Sequence, residues 1–142
     1  MNVLVDTPIW SEAFRRKKEG DGAGDSSFSA ELNELIREVR AVMIGPVRQE
    51  ILSGISSELQ FKNLKEKLRA FDEFPILTED YEMAATFYNT CRSNGVQGSH
   101  IDFLLCAVAY RNNMLIFTTD NDFEHYSKHI DISLYIPRVK SH

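Results

Sequence analysis

Apolar positions along the chain alternate between short unbroken runs and stretches spaced at three and four residues, the signatures of buried strands and amphipathic helices. Residues 2–5 form a β-branched apolar run that ends at Asp6, the pattern of a buried strand. Thr7 can then cap, and Pro8 occupy the first turn of, a helix carrying Ile9, Trp10, Ala13 and Phe14 on its inner side. Residues 19–27, EGDGAGDSS, read as a mobile loop too short to link two domains. A helix is predicted over 28–40 from Leu32, Leu35, Ile36 and Val39, followed by a strand over 41–44.

Gly45 and Pro46 open the next helix, with Glu50 about one turn from its start. A further amphipathic helix is expected over 57–71 with Leu64, Leu68 and Phe71 inward, then a short strand over 74–77. Thr78 to Asp80 start a helix running through Arg92 with Tyr81, Ala84, Ala85, Tyr88 and Cys91 on one face, ended by the Asn94 and Gly95 turn. The most apolar helix covers 99–112 and buries Leu104, Leu105, Val108 and Ala109. A strand over 114–117 leads into Thr118, Thr119 and Asp120, and a last strand is expected over 132–136, before Pro137.

Strands alternating with helices predict an α/β sandwich with a largely parallel sheet. Its 142 residues suit one domain, and no internal repeat or low-complexity tract interrupts them. Hydrophobic residues at 43% and charged residues at 26% are the ordinary globular balance. No apolar run is long enough to span a bilayer and no secretory leader is evident, so a cytoplasmic location without membrane contact is expected. Cys91 and Cys106 fall in helical stretches and read as small core residues; nothing in LLCAVA supplies Cys106 with the base a catalytic thiol needs.

The formal net charge of −5 is the wrong sign for binding nucleic acid by bulk electrostatics. That objection weakens if the acids cluster, because a divalent ion held there neutralises part of the deficit and attracts phosphate. Two basic groups, Arg15 to Lys18 and Lys62, Lys65, Lys67 and Arg69, read first as solvated helix faces.

Four acids far apart in sequence share one kind of address. Asp6 and Asp120 stand at strand ends, and Glu50 and Asp102 in the first turns of helices. Parallel sheets bind ligands at the carboxyl ends of their strands, so these addresses can converge. Singly, Asp6 reads as a helix cap, Asp102 as an acid placed by the helix dipole, Glu50 as a surface residue, and Asp120 with Asp122 as a turn. Their joint placement favours a shared acidic pocket. Carboxylates crowded together repel and raise one another's pKa, so such a pocket implies a hard cation, Mg²⁺ or Mn²⁺, able to activate water for phosphodiester attack.

In VLVDTPIW, PVRQEIL, DFLLCAVAY and TTDNDF the chain resembles the PIN-domain ribonucleases, and among them the VapC toxins of toxin-antitoxin pairs, over nearly its whole length. The resemblance implies a three-layer α/β/α sandwich that cleaves RNA with Mg²⁺ or Mn²⁺, leaving 5′-phosphate and 3′-hydroxyl ends. It implies Asp6 and Asp120 as principal metal ligands, Glu50 and Asp102 completing the catalytic pocket, Asp122 assisting, and Thr7 and Thr118 orienting a carboxylate or water. It also implies a homodimer and a VapB-like antitoxin that places a basic side chain among the acids. The chain departs from the usual small residues in LLCAVA and carries His100 two residues before Asp102, which bears on substrate preference; His100 is left outside the catalytic set.

The alternatives are a PIN-like domain in RNA processing or one that only binds RNA or protein. A haloacid-type phosphatase needs an aspartate where Pro8 stands, and a receiver domain needs paired acids after its first strand, which are not there. His125, His129 and His142 lack zinc-ligand spacing with any cysteine.

Overall fold

The computed structural model describes residues 1–15 and 27–138, with Arg15 as backbone only. Most of the expected loop at 19–27, together with Arg16, Lys17, Lys18 and His142, lies outside the described residues. Strand β1 (Val3–Val5) is completely buried and central, with β2 (Ala41–Val42) on one side and β3 (Leu115–Phe117) on the other. Both pairings are parallel, Val3 standing opposite Ala41 and Leu115. Since the chain leaves β1 toward β2 and returns on its other side as β3, strand order switches beside β1, and in parallel sheets ligands bind at the carboxyl ends beside such a switch. Asp6 directly follows β1 and Thr118 directly follows β3.

Helices α1 (Thr7–Arg15), α2 (Ser27–Arg37), α3 (Gly45–Leu52) and α4 (Glu58–Leu68) pack in succession, α1 against α2 and α3, and α3 against α4. Helices α5 (Thr78–Ser93) and α6 (His100–Arg111) pack on each other, and α6 lies on β1 and β3. Phe103 through Ala109 are all buried because α6 is covered by the sheet on one side and α5 on another, which explains its nearly all-round apolar sequence. A short helix, α7 (Asp122–Tyr126), follows β3. This is the expected α/β sandwich. The four cations of the α4 region, Lys62, Lys65, Lys67 and Arg69, are exposed, as a solvated face requires.

Trp10 seats α1 on the end of β1: its indole N–H donates to Val5 O at 3.1 Å, and its ring meets Phe71 edge-on at 5.0 Å. Arg48 fixes α3 by pairing with Glu73 at 2.8 Å and donating to the carbonyls of Leu68 and Phe71. These contacts settle the elements that carry Asp6 and Glu50.

Four expectations need correction. The strand expected over 74–77 does not form, a single parallel bridge of Met43 with Glu73 standing just before it, and the one expected over 132–136 is reduced to a single parallel bridge, Ile116 with Leu134. Pro75 has no N–H to continue the ladder after the Phe74 N–H bond to Met43 O at 2.8 Å, and Pro137 closes the second segment. The first helix begins at Thr7 itself, so Thr7 is helical and does not cap; Asp6 O accepts from Ile9 N–H at 3.2 Å.

On α5 the inward set is Asp80, Phe87 and Cys91, whereas Tyr81 is 56% exposed and Ala85 is exposed as well. Asp80, only 1% exposed, pairs with Arg111 of α6 at 2.7 Å and accepts the Leu77 N–H at 2.8 Å. A buried carboxylate with both partners is tolerated, and it rotates the helix away from the stripe that apolarity alone suggests.

The fourth correction concerns Val39, expected inside a helix but 86% exposed with φ 57°. Helix α2 stops at Arg37, and the N–H groups of Arg40 and Val39 bond Leu35 O and Ile36 O at 2.8 and 3.0 Å, a left-handed C-terminal cap. Gly95 after α5 and Asn113 after α6 adopt the same conformation with residues that favour it. A β-branched residue there is strained and buries nothing, so Val39→Gly is expected to stabilise the fold by about 1 kcal/mol, readable as a higher midpoint in urea.

Candidate functional site

The strand ends bring the first and last acids under one pair of threonines. Asp6 is 5% exposed, and each of its carboxylate oxygens accepts one hydrogen bond: Oδ1 from the Thr7 N–H and Oδ2 from the Thr118 hydroxyl, both 2.8 Å. Thr118 Oγ1 in turn accepts the Asp120 N–H at 3.0 Å, and the Thr7 hydroxyl donates to Glu50 Oε1 at 2.6 Å. One threonine therefore joins Asp6 to Asp120, and the other joins Asp6 to Glu50. Each Asp6 oxygen keeps a second lone-pair direction for another partner.

Asp102 is half-buried near the start of α6. The Ser99 hydroxyl accepts its N–H at 3.0 Å, and the Tyr126 hydroxyl donates to its Oδ2 at 2.7 Å. Asp120 is half-buried as well, and its Oδ1 accepts the Asp122 N–H at 2.9 Å. Asp122 is exposed at the start of α7.

Burial is the largest cause that pushes the Asp6 carboxyl up to about 6, and the charges of Asp102 and Glu50 add to it; the bonds from Thr118 and Thr7 pull the other way. The Asp102 carboxyl is also raised, by burial first and then by Asp120 and Glu50, against the hydrogen bonds of Tyr126 and Ser99. Asp102 and Glu50 thus act on Asp6, and Asp120 and Glu50 on Asp102, which links the four acids electrostatically. Among the described residues no three acidic, histidine or cysteine side chains converge tightly enough to encircle an ion by themselves. A cation that retains several waters needs only one or two direct carboxylates, and an all-oxygen, anionic donor set of this kind suits Mg²⁺ or Mn²⁺ rather than a softer metal.

The remaining candidates stand outside this cluster. His100 is exposed and stacks on the Tyr88 ring with centroids 5.0 Å apart. Cys106 is buried below the acids, where burial first and then the charges of Asp102 and Asp6 push its thiol up, so it stays protonated and no nucleophile. Both cysteines are free.

Tyr126 and Gly98 belong to the surroundings of the acids and were not singled out in the sequence. The Phe123 and Tyr126 spacing puts two rings on one side of a helical turn, and a buried tyrosine needs an acceptor for its hydroxyl. That much was available before folding; which acid serves as acceptor was not. Burial, and then the Asp102 carboxylate, raise the Tyr126 phenol, so it remains a donor.

The PIN-domain family model matches residues 3–129. Among solved structures, the chain is similar to FitAcB from Neisseria gonorrhoeae, at 18% identity and a TM-score of 0.74 over 95% of this chain and 97% of that one. It is similar to VapBC2 from Rickettsia felis bound to a DNA fragment from their promoter, at 15% identity and a TM-score of 0.71 over 95% and 98%. A third is VapBC-5 from Mycobacterium tuberculosis, a member of the VapBC family of toxin-antitoxin systems, at 17% identity and a TM-score of 0.62 over 98% and 100%. At such identities the likeness is one of fold. No curated protein matches the chain significantly.

Proposed function

The chain belongs to the PIN-domain family, and from that premise we propose that it is a metal-dependent endoribonuclease, the VapC-like toxin of a toxin-antitoxin pair. The observation that carries this reading is the buried Asp6, held by two threonines, whose carboxyl is pushed up to about 6 by burial first, with the charges of Asp102 and Glu50 adding to it. A fold that keeps like charges together at a strand-order switch bears that cost for a cation.

Asp6 and Asp120 are the proposed direct ligands, Glu50 and Asp102 hold water around the ion, and Asp122 assists from the start of α7. When bound, Mg²⁺ or Mn²⁺ supplies positive charge to the phosphoryl oxygens and acidifies a water for in-line attack. The side chains do the orienting. Thr118 and Thr7 lock both Asp6 oxygens and leave the outer lone pairs of the carboxylate aimed away from those bonds. Thr7 also holds Glu50, which is exposed and free to turn otherwise. Attack by water leaves a 5′-phosphate and a 3′-hydroxyl with no covalent enzyme intermediate.

The partners follow the same reading: an RNA substrate, probed first as tRNA and rRNA; a VapB-like antitoxin whose basic side chain enters among the acids; and a second copy of the chain. The antitoxin finds support in the toxin-antitoxin systems to which the fold is similar. For the homodimer, a mainly apolar groove of about 440 Å³ between α5 and α6, lined by Tyr81, Ala85, Tyr88 and Leu104, offers a face to cover. Among the described residues no helix is long and apolar enough to cross a membrane.

Incubation of the purified protein with total cellular RNA and Mg²⁺, followed by mapping of the cut ends, tests the activity. A discrete set of 5′-phosphate ends that vanishes with EDTA is expected. Tight RNA binding that ignores EDTA, without cleavage, would replace this reading with that of a binding module.

A further inference from the structure

We propose that Tyr126 is a positioning residue of the acidic site: its hydroxyl holds the Asp102 carboxylate in the rotamer that serves a divalent cation, in a space that only glycine at position 98 leaves open. The proposal rests on the reading of the acids as a cation site. Asp102 faces repulsion from Asp120 and Glu50, which favours rotamers that swing its carboxylate toward water. The 2.7 Å bond from Tyr126 to Oδ2 opposes that swing.

The donor itself cannot move. The Tyr126 ring is fully buried, 4.8 Å from the Phe103 ring and 5.1 Å from the Phe123 ring. Gly98 sets the approach: a Cβ there would stand 2.7 Å from Tyr126 Cζ and 2.8 Å from Phe103 Cε2, and closer still to Tyr126 Oη. Any side chain at 98 must displace the phenol or the ring beneath it.

Helix α7 makes this contact more than a local tether. It begins at Asp122, whose N–H bonds Asp120 Oδ1 at 2.9 Å, and ends at Tyr126, whose hydroxyl bonds Asp102 Oδ2. One short helix therefore reaches two acids carried by different elements, Asp102 near the start of α6 and Asp120 after β3, and it fixes their spacing. Partners of this outer kind alter metal affinity by about ten- to a hundredfold when removed.

Mn²⁺ titration followed by electron paramagnetic resonance of the free ion tests this without reference to catalysis. Tyr126→Phe keeps the ring and removes one oxygen; it is expected to bind Mn²⁺ about tenfold more weakly than wild type while retaining the fold. In an Asp102→Asn background the same substitution is expected to change affinity no further, because its route runs through that carboxylate. A tenfold loss that persists in the Asp102→Asn background would reveal a general structural effect and overturn the proposal. Equal affinity of Tyr126→Phe and wild type would overturn it as well. Gly98→Ala, which must dislodge the phenol, is expected to bind at least as weakly as Tyr126→Phe, and wild-type affinity in that variant also counts against the proposal. Absence of Mn²⁺ binding by the wild type would remove the cation reading itself and this proposal with it, an outcome distinct from the others.

Discussion

Replacing Asp6 with asparagine is expected to lower metal-dependent RNA cleavage by about a thousandfold, a loss of roughly 4 kcal/mol in transition-state stabilisation. The substitution is nearly isosteric and removes one negative charge from the buried acid that both threonines hold. Its carbonyl can keep one of those two bonds, but its amide nitrogen cannot accept the other. The loss should therefore appear in the rate and in Mn²⁺ affinity. Single-turnover cleavage under saturating Mg²⁺ is the measurement, and a variant as fast as wild type would remove Asp6 from the chemistry.

The same substitution is expected to stabilise the cation-free protein at neutral pH, by up to about 3 kcal/mol. Burial, with Asp102 and Glu50 adding, carries the Asp6 carboxyl from 3.8 up to about 6, so the folded chain keeps a proton that the unfolded chain has already lost. Stability contributed by this group is fully present below about pH 4 and is lost as pH rises through about 6. Asp102, raised for similar reasons, works in the same direction.

Glu31 works in the opposite direction. Burial raises its carboxyl, but the bonds from Tyr135 and Arg138 outweigh that and hold it below its ordinary value, so its contribution is lost as pH falls. The wild-type curve alone therefore mixes the two, and the difference between wild type and Asp6→Asn isolates Asp6. Apart from a constant offset for the hydrogen bond that asparagine cannot keep, that difference should change little below about pH 4 and grow in favour of the variant until it levels off above about 6 in chelator-treated samples. Mn²⁺ at a hundredfold excess over its Kd should return about 2.7 kcal/mol to the wild type and less to the variant. A stability gap that stays constant with pH would place the Asp6 carboxyl in its ordinary range.

The periodic parts of the molecule were legible because burial along one element repeats locally. The apolar run at β1, the stripe of α2 and the all-apolar face of α6 each signal their environment within a few residues. The acids were legible as a group for a related reason: in a parallel sheet, a strand's carboxyl end and the following helix start have fixed addresses. Even so, the inward face of α5 was misassigned, since a rule that sends aspartate outward has no means to foresee the Asp80 pair with Arg111, 31 residues away. The segments at 74–77 and 132–136 failed to extend the bridges at Glu73 and Leu134 into strands because Pro75 and Pro137 cut the ladder.

By itself, then, the order of residues determined the alternating elements, the parallel sheet and the identity of the acids that stand at its carboxyl ends. Only the tertiary structure decided how those acids are held. The Thr118 bond to Asp6 spans 112 positions and the Tyr126 bond to Asp102 spans 24. The space at Gly98 exists only because α7 packs its aromatic face against α6. Contacts of this kind depend on the angle and rotation at which whole elements meet, and those are set by packing a shared core rather than by any repeat within the elements themselves.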